Sequence, residues 1–169
     1  GVLTQFVQLY GSDRDAVRSE IGTFVKVFPH TLVFGNTCQG QGYDLVLVGL
    51  VEPQSIDVNQ LQAKLDSPAY ARVRSSLGDI GITSAVDLLS NYVGTAQDLE
   101  PWLRGGSINT DRNLRLQYLA GLTLNTFESG GIYREMRART RYPEEIFTGA
   151  PDLLHVLRDR ITGMAGSTP

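Results

Sequence analysis

The chain is read as an α/β domain, on three observations. Tyr43 to Leu50, "YDLVLVGL", is an apolar run rich in valine and leucine, the pattern of a strand covered on both faces. An amphipathic helical stretch separates the opening strand from a second strand, which predicts a parallel crossover. Beyond Pro53 helical patterns with caps dominate to the end. Together these predict a small sheet of about three strands, the last antiparallel, followed by a helical C-terminal part.

Each element has a local reason. "GVLTQFVQLY" (residues 1–10) is rich in Val, Leu, Phe and Tyr and reads as a strand, broken by Gly11. Ser12 or Asp13 can cap the helix that follows. Val17, Ile21, Phe24 and Phe28 recur at steps of four, three and four, which sets them on one helical face. Pro29 ends that helix, because the residue before proline is pushed out of helical space. "TLVF" (31–34) is a short second strand, and "GNTCQGQG" (35–42) a flexible connection too short for a helix. The second and third strands are therefore antiparallel neighbours. Asp57 with Gln60 opens a helix in the manner of a capping box, and Ser67-Pro68 opens another. "TSAVDLLSNYV" and "TAQDLEPWL" read as two further helices, "SINTDRNLRLQYLAGL" follows the Gly105–Gly106 pair, and "PDLLHVLRDRI" (151–161) is a strong amphipathic helix. The tail "GMAGSTP" reads as frayed. The division expected is residues 1–52 for the strands, 53–122 for a helical continuation of the same domain, and 123–169 for a helical extension without an assigned role.

Composition narrows the function. The chain has 169 residues, 41% hydrophobic and 20% charged, with a formal net charge of −3. That size is enough for one core, and the charge supplies no general field for nucleic acid or membrane. The longest apolar run is too short to span a bilayer. The single Cys38 rules out an internal disulfide and a cysteine-based zinc site. With His30 and His155 far apart, no metal site is expected. The chain opens directly on a strand with no basic leader, so no signal peptide is expected. Without an initiator Met, its start is read as trimmed or as a point inside something longer. A cytoplasmic location is expected, with the soluble part of a membrane-anchored protein as a variant of it.

The blocks "FVKVFPHTLVFGN", "YDLVLVGL" and "SINTDRNLRLQYLA", in this order and spacing, resemble the C-terminal part of spermidine synthase-like proteins. The bacterial group fused to a membrane transporter-like domain is nearest. The likeness covers residues 1–120. It implies a partial Rossmann-like, methyltransferase-type sheet whose final antiparallel strand inserts between its two predecessors. It also implies aminopropyl transfer in the full-length family, from decarboxylated S-adenosylmethionine (or chemistry on S-adenosylmethionine), to a polyamine. The family's glycine-rich nucleotide turn, ribose-binding acid and catalytic aspartate all lie upstream of what Gly1 begins to match. No catalytic residue is therefore assigned, no cofactor is bound by this chain itself, and the chain alone is expected to be inactive. Arg112 and Gln117 stand where the family shows acidic residues. The partners expected are the missing N-terminal half or a second copy forming a homodimer, and a polyamine only in the full-length protein. A non-catalytic interaction or dimerisation module is the alternative reading.

Candidate site residues follow from the same blocks. Gln5, Gln8 and Tyr10 lie on or at the end of the first strand, where ligands gather in open α/β sheets. The resemblance puts a polyamine-binding glutamine in that region, with Gln5 its counterpart or Tyr10 lining the same cavity. Asp111 is the resemblance-based candidate in "NTDRNLR", against a plain capping role for Asn109, Thr110 or Asp111. Arg134, Arg137, Arg139 and Arg141 form a basic segment. It reads as a solvated helix face or a surface for acidic groups on a partner, ahead of a nucleic-acid site. The first strand also has an edge problem: its outer backbone groups need a cover or a partner strand.

Overall fold

The computed structural model describes residues 1–38, 41–122 and 128–166. β1 (Val2–Gln8) leads through a tight turn to α1 (Arg14–Val27). Asp13 caps that helix, its carboxylate accepting from the Ala16 N–H at 2.7 Å. The helix closes at Phe28, directly before Pro29, and buries Val17, Ile21 and Phe24 as the spacing predicts. β2 (Leu32–Cys38) and β3 (Gln41–Leu50) then pair antiparallel. β2 is longer than expected. Gly35 to Cys38 continue the ladder past a bulge between Asn36 and Thr37, although a Gly-Asn-Thr run alone reads as loop. Of the expected connection, only Gln39 and Gly40 lie outside the described residues.

β4 (Ile56–Asp57) precedes α2 (Val58–Asp66), which Asp57 caps through the Gln60 N–H at 2.9 Å. A 3₁₀ turn at Pro68–Tyr70 leads into α3 (Ala71–Asp79), and α4 (Ala85–Leu89) is a short helix capped by Ser84. The next element corrects the three-strand expectation: β5 (Tyr92–Thr95) is a fourth strand, inside a stretch that reads as helix from its pattern. The Asn91 amide donates to the carbonyls of Asp87 and Leu88 and closes α4, which frees Tyr92 to Thr95 to pair with β2. Thr95 and Asp98 then form a reciprocal capping box for α5 (Ala96–Leu103). α6 (Arg115–Leu122) and α7 (Ser129–Arg137) follow, then β6 (Phe147–Thr148), which pairs parallel with β4. α8 (Pro151–Gly166) runs beyond the expected helix into the tail, whose last three residues lie outside the described ones.

The main sheet has the order β1-β3-β2-β5, every neighbouring pair antiparallel. β3 therefore lies between β1 and β2, and those two strands run the same way. Helices cover both faces. On one face Val7, Leu9, Val33, Leu45, Leu47 and Val93 pack with Val17, Ile21, Phe24 and Leu99, together with Trp102, Ile132 and Met136. Two glycines let helices approach there. A Cβ at Gly49 would lie 2.7 Å from the rings of Phe24 and Phe28, and one at Gly35 would lie 2.5 Å from Tyr133. On the other face Leu32 and Tyr92 pack with Val58, Leu65, Val86 and Leu89, and with Phe147, Leu157 and Ile161. The residues from 129 onward are thus part of both cores: α7 completes the first and α8 the second.

The second layer stops short of the β1 side. β3 is central, as its apolar run predicts, but Val46 is 37% exposed, and its β1 partner Phe6 is also bare. Among the described residues, no helix is long and apolar enough to cross a membrane.

Candidate functional site

The carboxyl ends of β1 and β2 meet the start of β3. The register sets Asp44 of β3 directly between Gln8 of β1 and Asn36 of β2. All three side chains fall on the sheet face that the second helical layer leaves open, because alternate residues share a face. Asp44 is buried, at 5% exposure, while Gln8 and Asn36 are exposed around it. The Asn36 amide donates to Asp44 Oδ2 at 3.2 Å. Asp44 Oδ1 is buried and has no hydrogen-bond partner. Where the chain leaves β1, the rings of Tyr10 and Tyr43 stack at 4.4 Å between centroids. The Gln8 amide donates to the Tyr10 carbonyl at 2.6 Å and so fixes the chain as it leaves β1.

A buried carboxylate with an unmatched oxygen is costly, at about 1–3 kcal/mol for the missing bond, so such groups mark candidate sites. Chemically, the arrangement offers one negative charge and one open acceptor, flanked by two carboxamides. It suits an N–H donor, above all a cationic one. Asp44→Asn is expected to shift stability by no more than about 1 kcal/mol, because the amide keeps an oxygen to accept from Asn36. An unchanged urea midpoint would show this. A loss of stability beyond that magnitude would make Asp44 a structural acceptor instead.

Of the residues singled out in the sequence, Gln8 and Tyr10 lie at this end of β1, Tyr10 touching the group through the bond its carbonyl accepts from Gln8, and the others do not. Gln5 sits mid-strand on the opposite face, and its amide donates to Glu20 Oε1 of α1 at 2.8 Å. Burial pushes the Glu20 carboxyl up, and the Gln5 bond offsets part of that. Asp111 is exposed in the turn before α6. The capping role in that segment falls to Asn109 and Asn113: the Leu116 N–H donates to Asn109 at 3.0 Å and the Arg115 N–H to Asn113 at 3.1 Å.

The four arginines do not form one surface. Arg134 and Arg141 are exposed, whereas Arg139 is half-buried and donates to the Glu135 carbonyl. Arg137 is buried and donates to the carbonyls of Tyr92 and Ile161, so it faces inward and is not offered to a partner. Among the described residues there is no group of three metal-ligating side chains.

Asp44 and Asn36 were missed in the sequence because each looks ordinary on its own, whereas Gln8 was placed at the end of the first strand without a role of its own. One signal was there: Asp44 is the only charge in an otherwise apolar run, and it opens a strand expected to be central. Comparison with family models, with curated proteins and with solved structures finds no match to this chain.

Proposed function

We propose that the chain is the C-terminal segment of a spermidine synthase-like transferase, and that it does not catalyse transfer alone. The observation that carries this reading is the threading of β3, antiparallel, between β1 and β2, which α1 joins. A methyltransferase-type Rossmann-like sheet ends in that order, and here the order coincides with the three sequence blocks of that family.

The site chemistry fits the acceptor side of such a reaction. Aminopropyl transfer brings an amine against a methylene beside a sulfonium, and orientation supplies much of the gain. The Asp44 carboxylate would hold an ammonium of the polyamine at the carboxyl ends of β1 and β2, with the Gln8 and Asn36 amides beside it. On this reading donor binding belongs to the other half, in keeping with a β1–α1 turn that carries one glycine, Gly11, and a first turn of α1 capped by Asp13.

An assay with purified chain, decarboxylated S-adenosylmethionine and putrescine is expected to give no aminopropylated product, and titration with the donor no heat. Product formed by the chain alone would overturn the assignment. A non-catalytic dimerisation module is the second reading, favoured by the uncovered side of β1. Light scattering on the eluting species tests it, since a strict monomer excludes that module.

A further inference from the structure

β1 ends the sheet, and among the described residues no strand lies along its outer side. Natural edge strands are guarded by charges, prolines or bulges. Residues 1–12 contain no charged side chain and no proline, and β1 pairs with β3 in unbroken register. Val7 is buried, but the other apolar side chains of β1 are bare on both faces. Leu3 is 47% exposed on the α1 side, while Val2 and Phe6 are 59% and 54% exposed on the other.

The α1 side also holds a groove of about 310 Å³ beside β1, lined by Leu3, Gln5, Glu20, Val27, Phe28 and Leu116 among others. Val27 on its wall is 66% exposed. Glu20 is the one charged group lining it, and its hydrogen bond comes from the neutral Gln5 amide. Among the described residues, no lysine or arginine lines the groove to balance that carboxylate. Burial pushes the Glu20 carboxyl up, and the Gln5 bond offsets only part of that.

We propose that this side of β1 docks a β-strand from outside the chain, one whose residue opposite Gln5 is a lysine or arginine that pairs with Glu20. Its residues two positions to either side, over Leu3 and Val7, are then apolar, because alternate positions share a face. The backbone of the added strand satisfies the open N–H and C=O groups, and the side chains set the choice of partner. A second copy paired through its own β1 does not fit this chemistry, since that strand has no basic residue to offer Glu20. The inference goes beyond the transferase reading and holds or fails separately from it.

Two short synthetic peptides test it, identical alternating Val/Thr strands that carry either Lys or Glu at the central position. Their binding to the full chain and to Glu20→Gln is read by fluorescence anisotropy at low ionic strength, where ion pairing is least screened. The lysine peptide is expected to bind at least about tenfold more tightly than the glutamate peptide. Glu20→Gln is expected to remove that preference while leaving residual binding. Amide exchange at residues 2–8 slows when the lysine peptide is bound. Equal affinity for the two peptides, or no binding of the lysine peptide at about 1 mM, overturns the proposal. So does protection of the β1 amides that grows with protein concentration in the absence of peptide, which would assign the edge to a second copy.

Discussion

Trp102→Ala is expected to lower the unfolding free energy by about 4–5 kcal/mol, the upper part of the range for truncating a core aromatic. The indole is 1% exposed and packs with Val17, Ile21, Leu99 and Met136 against the sheet. Truncation loses the transfer energy of the ring and leaves a cavity. It also removes a hydrogen bond that ties three helices together. The Trp102 N–H donates to Glu135 Oε2 at 2.9 Å, Arg14 Nε donates to the same oxygen at 3.1 Å, and the Arg18 guanidinium lies 5.1 Å from the indole centroid.

Trp102→Phe separates the two contributions, keeping most of the volume and deleting the donor. Burial alone would raise the Glu135 carboxyl, but the hydrogen bonds from Trp102 and Arg14 outweigh it and hold it below its usual range. A carboxyl depressed on folding stabilises above its unfolded pKa, and that contribution is lost as pH falls through the folded value. The stability of Trp102→Phe should therefore depend less on pH on the acid side than that of the parent chain. Urea midpoints at neutral and acid pH check both statements.

Arg137→Ala is the second large effect, at about 2–4 kcal/mol. The guanidinium donates to the Tyr92 carbonyl at the start of β5 and, at 3.1 Å, to the Ile161 carbonyl inside α8. Its removal loses two charge-assisted hydrogen bonds to carbonyls in the core, each worth about 1.5–3 kcal/mol. Relief of a buried cation offsets part of that loss, since burial already pulls the guanidinium pKa down. Both bonds join elements distant in sequence, so β5 and α8 should loosen together, seen as faster amide exchange in each. Arg134→Ala and Arg141→Ala, at exposed positions, should stay within about 0.5 kcal/mol of the parent. Equal effects at all four arginines would return them to the role of a common surface.

How much of this could be read from the sequence depended on how local the cause was. Asp13 and Asp57 were legible as caps because a cap is settled by residues three positions away. The central place of β3 was legible because a strand covered by neighbours needs an unbroken apolar run. Tyr92 to Thr95 were not legible as a strand. Four residues between two helices carry little period, and pairing with β2 decides their state. Gly35 looked like loop because its lack of a side chain is a turn signal, whereas here it makes room for Tyr133. Arg137 looked like surface because its burial depends on two carbonyls supplied from 45 and 24 residues away. Asp44 escaped for the same reason, since its isolation exists only once β1 and β2 flank it.

The most direct test of the transferase reading is the reading frame upstream of Gly1. The account predicts an in-frame strand, glycine-rich turn and helix, encoding the half that would bind the donor. A start codon immediately ahead of Gly1, with no such unit before it, would contradict it.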